Sequence, residues 1–138
     1  MSTYFFYGTL QDPEIAREIL GRPLSGCSPQ PCVLEGYKRV YVADATYPAI
    51  AEDAESKVEG LLVARISPLE ASRLSRYEGR DYKTEELDVV LNDGKRVSAS
   101  VFIPLPALRL SNRVWELNIW RRHEKRRFMA GLRRNVLV

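Results

Sequence analysis

Near the start of the chain, four aromatic residues in a row, Tyr4-Phe5-Phe6-Tyr7, run into Gly8, and four positions later Asp12-Pro13 opens a helix. A short aromatic run bounded by glycine reads as a buried strand. Asp12 is a good N-cap and Pro13 fits the first helical position. Ile15, Ala16, Ile19 and Leu20 then form one apolar stripe, and Gly21 stops it. The order strand, tight turn, helix therefore opens the fold, and everything downstream has to pack around that strand.

Further along, residues 22–32 are rich in Pro, Ser and Gly and read as a loop, followed by a strand or bent hairpin arm over 33–43. Tyr47-Pro48-Ala49-Ile50 is a short extended piece, because proline pushes the residue before it toward β geometry. Residues 58–66 form a cleaner strand. Ser67-Pro68-Leu69-Glu70 is a capping box with Pro at the first helical position, which predicts a second helix with Leu69, Arg73, Leu74 and Tyr77 on one face and Gly79 at its end. Residues 84–91 and 96–103 flank Asn92-Asp93-Gly94, the strongest hairpin signal in the chain. Beyond Pro104 and Pro106, a helical pattern runs over about 112–132, carrying Val114, Leu117, Trp120, Phe128 and Leu132 on one side with Glu124 interrupting the stripe. Hairpins interspersed with helices predict an α+β fold, a single small domain with a mixed, strongly curved sheet.

With 138 residues, 45% of them apolar and 28% charged, the chain has the composition of one ordinary globular domain. The longest apolar runs are too short to span a bilayer, and the first ten residues lack the basic and apolar regions of a secretory signal. Cys27 and Cys32 lie close together in the Pro-rich stretch, and His123 is the sole histidine. Two thiols make no disulfide framework, and zinc needs about three or four Cys or His ligands. A reduced, cytoplasmic protein is the expectation, with Cys27 and Cys32 as loop thiols without a role and His123 a surface residue.

The net charge of +3 conceals a segregation: residues 1–104 hold 12 basic and 16 acidic side chains, residues 105–138 hold 9 basic and 2 acidic. That division suggests a core over 1–104 and a basic, Trp-containing helical extension over 105–138 packed on the same domain. Trp115, Leu117, Ile119, Trp120, Phe128 and Met129 interleave with the cations, so the expected arrangement buries the aromatic side and leaves an arginine face in water. The other reading is a contact with nucleic acid or an acidic surface.

Two segments could carry chemistry. In Tyr7-Gly8-Thr9-Leu10-Gln11-Asp12, backbone N–H groups ahead of a helix could cradle a carboxylate or an oxyanion, although the same segment serves as a plain connection. In Tyr77-Glu78-Gly79-Arg80-Asp81-Tyr82, Glu78 falls in the last helical turn, where the helix dipole disfavours a carboxylate and should raise its pKa. Arg76 and Arg80 could cancel that effect, and a solvated terminal Glu is the plain alternative. Tyr82 could lie beside the carboxylate or simply pack.

Tyr7-Gly8-Thr9-Leu10 after an apolar strand, Tyr47-Pro48-Ala49-Ile50, Val58-Glu59-Gly60 opening a strand, and Tyr77-Glu78-Gly79 with Tyr82 follow one another in a familiar order. In that order and spacing the chain resembles the gamma-glutamylcyclotransferase-like family, in its branch related to plant avirulence-induced proteins. The likeness spans roughly 4–103, and a C-terminal helix with Trp115, Trp120 and Phe128 is typical of the branch. It implies a small α+β domain with a barrel-like mixed sheet flanked by helices. It also implies that Tyr7, Gly8, Thr9, Leu10, Gln11 and Asp12 bind substrate together with Tyr82, and that Glu78 is the catalytic acid and base.

The reaction so implied is an intramolecular aminolysis that releases 5-oxoproline and an amine from a small gamma-glutamyl compound. The nucleophile belongs to the substrate, so neither metal nor cofactor is expected. The remaining alternative is a non-catalytic module of the same fold that binds a small gamma-glutamyl-like ligand.

Overall fold

The computed structural model describes residues 1–137. Its strands are β1 (Ser2–Phe6), β2 (Gln30–Val42), β3 (Pro48–Ile66), β4 (Tyr82–Leu91), β5 (Arg96–Pro104) and β6 (Leu110–Val114). Its α-helices are α1 (Pro13–Leu20), α2 (Pro68–Glu78), α3 (Leu117–His123) and α4 (Lys125–Leu137). Strands β1, β5, β4, β2 and β3 pair in a closed ring, and β6 adds to the outside of β2. The β1–β5 pairing, through Tyr4 and Ser100, is parallel, and the other pairings are antiparallel. The fold is thus the expected α+β domain with a mixed, barrel-like sheet.

The helix signals hold at both ends. Asp12 caps α1 through the Glu14 N–H at 3.0 Å, Pro13 starts the helix, and Gly21 ends it at φ 83°. Ser67 and Glu70 form the reciprocal capping box of α2. Glu70 also takes two hydrogen bonds from Arg22, at 2.5 and 3.0 Å, which hold its carboxyl down at about 2 despite partial burial. Of the face predicted for α2, Leu74 is buried and Tyr77 half-buried, but Leu69 is 62% exposed. Leu69 sits in the first turn, on the side away from the barrel. In the hairpin, Gly94 at φ 87° supplies the left-handed residue between β4 and β5.

Three expectations change. Tyr47-Ile50 and 58–66 are not separate pieces: residues 48–66 form the single strand β3, which follows β2 through a bend at Gly36, φ 84°, where the register shifts. The stretch read as a loop with two idle thiols contains a 3-10 turn, Leu24–Cys27, and the start of β2. Cys27 and Cys32 are both buried, and burial raises both thiols, Cys32 to about 12.

The helix expected over 112–132 begins as strand β6, with Val114 70% exposed, and then splits at Glu124 into α3 and α4. Strand β2 runs past the barrel and offers Val40 and Val42 as partners to Val114 and Leu110. That unpaired edge outweighs the local helical period.

The C-terminal segment packs as an apolar wedge. Trp115 and Trp120 are fully buried, with rings 6.5 Å apart, and Phe128 meets Trp120 edge-on at 5.5 Å. Arg122, His123, Arg126 and Arg127 face solvent. Among the described residues no helix is long and apolar enough to cross a membrane, and no group of His, Cys, Asp or Glu is arranged to hold a metal.

Gly60 shows how tightly β3 is drawn over β1. A Cβ there would lie 2.4 Å from the Phe6 carbonyl oxygen and 2.7 Å from the Phe5 ring. Backbone cannot yield as a flexible side chain would, so Gly60→Ala is expected to cost about 3 kcal/mol or more. Urea unfolding of that variant against wild type checks it; a loss under about 1 kcal/mol would mean the strands have room to part.

Candidate active site

The end of β1 delivers Tyr7 and Gly8 to the rim of the barrel, and the end of α2 delivers Glu78 to the same place. Between them lies a cavity of about 220 Å³, a size suited to a small molecule. Tyr7, Gly8, Thr9, Leu10, Glu78 and Tyr82 line it, so the two segments singled out from sequence face one space.

Gln11 and Asp12 do not line it. The Gln11 side-chain amide donates to the Gly8 carbonyl at 3.3 Å, which braces the loop from behind. Asp12 is fully buried and accepts from Arg121 at 2.8 Å and Lys125 at 3.0 Å while capping α1. Burial alone would raise its carboxyl, but those hydrogen bonds outweigh it and hold the pKa below the ordinary value. Asp12 therefore fastens the C-terminal helices to the loop.

The rest of the lining comes from residues not assigned to the site from sequence. Phe5, Phe6, Tyr47, Pro48, Tyr77 and Phe102 supply apolar and aromatic walls, and Phe128 enters from the C-terminal segment. Tyr47, Pro48 and Tyr77 stood within the quoted motifs, a signal that could have found them. Phe128 stood among the aromatic residues of the C-terminal helix noted from sequence, while nothing in the local sequence distinguishes Phe102 from an ordinary core residue.

The polar groups are pinned. The Tyr7 hydroxyl donates to the Phe102 carbonyl at 2.7 Å, and the Tyr82 hydroxyl donates to the Pro48 carbonyl at 2.9 Å. Thr9 and Tyr77 share a hydrogen bond of 2.6 Å between their hydroxyls. Burial first, and the nearby Glu78 charge as well, raise Tyr7 and Tyr82; Tyr77 is raised by burial against the pull of Thr9. All three remain neutral phenols at ordinary pH. Behind the loop, Arg39 donates to the Tyr7 carbonyl at 2.8 Å. The backbone N–H groups of Gly8, Thr9 and Leu10 donate to no protein acceptor among the described residues.

Glu78 is the last residue of α2, and Gly79 at φ 86°, ψ −177° turns the chain sharply toward β4. That backbone geometry is open to glycine and strained for any L side chain. No donor among the described residues reaches the Glu78 carboxylate, and burial pushes its pKa up to about 7. The direction is the one expected from the helix end, but the cause is desolvation, and neither Arg76 nor Arg80 offsets it. A carboxyl poised near neutrality can both accept and return a proton, beside N–H groups free to hold an anion.

The mixed five-stranded barrel is a fold shared with solved proteins. A solved gamma-glutamyl cyclotransferase superposes with a TM-score of 0.60 at 14% identity, over 80% of this chain and 68% of that one. An Arabidopsis thaliana protein solved in solution superposes with a TM-score of 0.69 at 25% identity, over 98% of this chain and 81% of that one. In sequence, AIG2-like protein C of Arabidopsis thaliana is 29% identical over 135 residues, 94% of this chain and 75% of the relative. AIG2-like protein A of the same plant is 23% identical over 133 residues, 94% and 78% of the two chains. Residues 4–122 match the family described as gamma-glutamyl cyclotransferase, AIG2-like, and the chain belongs to that family.

The buried carboxyl has a cost that can be read without substrate. Its folded pKa, about 7, lies above that of an unfolded Glu. The folded state therefore holds this proton more tightly, and that contribution is present in full below the unfolded pKa and is lost as pH rises through about 7. Glu78→Gln carries no such charge. The variant should match or exceed wild-type stability at pH 8, by on the order of 2–3 kcal/mol, with the advantage fading toward pH 4. Urea unfolding at the two pH values measures it; a difference independent of pH would show that Glu78 titrates as a solvated carboxylate.

Proposed function

We propose that this cavity catalyses gamma-glutamyl cyclotransfer on a small gamma-glutamyl compound. The observation that carries the reading is the Glu78 carboxyl, half-buried without a donor and raised to about 7, lining one cavity with Gly8, Thr9 and Leu10, whose N–H groups are unpartnered among the described residues. Membership of the family supports it.

The α-amino group of the substrate attacks its own γ-carbonyl carbon and closes a five-membered ring. Glu78, as carboxylate, takes a proton from the α-ammonium and frees the attacking lone pair. The N–H groups of Gly8, Thr9 and Leu10 hold the α-carboxylate or the oxyanion that forms on the γ-carbonyl. The protonated Glu78 then gives its proton to the leaving nitrogen as the C–N bond breaks, and the restored carboxylate takes the second proton from the ring nitrogen and passes it to the departing amine, so that 5-oxoproline and an ammonium ion leave.

Ring closure needs the extended glutamyl chain folded back on itself. Holding that pose is worth up to about 7–11 kcal/mol in favourable intramolecular cases, and the aromatic walls from Tyr7, Tyr77, Tyr82 and Phe102 are suited to it.

Release of 5-oxoproline from a panel of gamma-glutamyl amino acids, peptides and amines tests the reading. The wild type should turn over at least one member, with kcat/KM rising along an acid limb whose midpoint lies near pH 7, as the Glu78 pKa requires. Glu78→Gln keeps the shape and removes the base, so its turnover should fall by about 10²–10⁴-fold. No product from any member with folded protein, or full activity in Glu78→Gln, would overturn the assignment.

A further inference from the structure

Arg39 lies on β2, behind the loop and outside the cavity lining, yet its guanidinium is spent almost wholly on backbone. Its Nη1 donates to the Tyr7 carbonyl at 2.8 Å and to the Glu59 carbonyl at 3.0 Å, and its Nε donates to the Trp115 carbonyl at 3.1 Å. The guanidinium also sits 5.4 Å from the Trp115 ring centre. Among the described residues no carboxylate lies within ion-pair distance of it. A charged group placed this way joins β1, β3 and the segment leading into α3 at one point.

The bond to Tyr7 bears on the cavity because the Tyr7 carbonyl and the Gly8 N–H belong to the same peptide unit. Among the described residues there is no cis peptide, and in a trans peptide the C=O and N–H point to opposite sides of the chain. Fixing the oxygen toward Arg39 therefore fixes the direction of the N–H. A hydrogen bond from a cation to the carbonyl also polarises the peptide and makes its N–H a better donor. Gly8 itself accepts this geometry under a tight ceiling, since a Cβ there would come 3.0 Å from the Pro48 ring.

We propose that Arg39 is a positioning residue for the candidate site: by holding the Tyr7 carbonyl it sets the plane of the Tyr7–Gly8 peptide and aims a strengthened Gly8 N–H at the anion bound beside Glu78. The inference rests on the cyclotransfer reading for its effect on rate, but its structural core stands without it. Arg39 touches no reacting atom. A rigid anion cradle on a three-residue turn needs an anchor from outside the loop, and this guanidinium is the charged group that reaches the Tyr7 carbonyl.

Three variants test this: Arg39→Met, Arg39→Lys and, as a core control away from the cavity, Val89→Ala on β4, where Val89 is fully buried. The first readout is the Gly8 amide resonance in a ¹H–¹⁵N spectrum of the full chain. Arg39→Met should move it upfield in the proton dimension, and Val89→Ala should leave it in place.

The second readout is 5-oxoproline release from whichever substrate the wild type accepts best. Arg39→Met should lose about 10–100-fold in kcat/KM, the range expected when a catalytic contact is misplaced by about an ångström. Arg39→Lys should recover part of the loss, since an ammonium can still donate to the Tyr7 carbonyl. The acid limb near pH 7 should not move in either variant, because Glu78 is untouched. An unmoved Gly8 resonance, or a rate loss no greater than that of Val89→Ala once the two are matched for thermal stability, overturns the proposal. Should the wild type turn over nothing, the cyclotransfer reading falls, and the Gly8 resonance alone still decides whether Arg39 orients the peptide.

Discussion

Everything in this fold hangs on a strand of five residues. β1 is paired on both sides, antiparallel to β3 and parallel to β5, and without it the sheet would be an open ribbon with two exposed edges. Closing the ring puts the Phe5 and Phe6 side chains out of contact with water and draws β3 so near that only glycine fits at position 60. The same closure fixes where β1 must end. Tyr7 and Gly8 leave the barrel at its rim, opposite the end of α2, and the cavity is the space left between the two.

The cavity wall then explains the unusual state of Glu78. A carboxyl at an open helix end would be solvated and acidic; here the barrel rim, Tyr77, Tyr82 and Phe128 line the same cavity and leave it half-buried. The phenol hydroxyls around it are already engaged, Tyr7 with Phe102, Tyr82 with Pro48 and Tyr77 with Thr9, so none of them relieves the carboxylate. The basic C-terminal segment takes part as structure. Arg121 and Lys125 hold Asp12 behind the loop, Trp115 stacks near Arg39, and Phe128 completes the wall. The charge segregation seen in composition thus has a partner inside the chain for some of its cations, while Arg122, Arg126 and Arg127 remain in water.

Two helices are legible in the sequence because their signals are local: Asp12-Pro13 with Gly21, and Ser67-Pro68 with Gly79, act through hydrogen bonds spanning two to four residues. The Asn92-Asp93-Gly94 turn was legible for the same reason. The C-terminal segment departs from its helical period because Leu110–Val114 answer to an edge of β2 far earlier in the chain, at Val40 and Val42. Strand β3 was read as fragments because its continuity is set by its pairing with β2, through a register shift that has no sequence period. Asp12 was grouped with the substrate loop by position, yet its side chain turns to the tail, and only the packed structure separates the two roles.

By itself, then, the sequence determined the strand, turn and helix opening, the caps, the main hairpin and the order of motifs that marks the family. Each of these depends on neighbours along the chain. The tertiary structure decided that Tyr7 to Leu10 and Glu78 share one cavity, that the raised carboxyl owes its state to burial more than to the helix dipole, and that Phe102, Phe128 and Arg39 belong to the surroundings of the site. The physical reason is that desolvation, edge pairing and a hydrogen bond such as that from Arg39 to Tyr7 depend on distance in space, and barrel closure brings together residues that the linear order keeps apart.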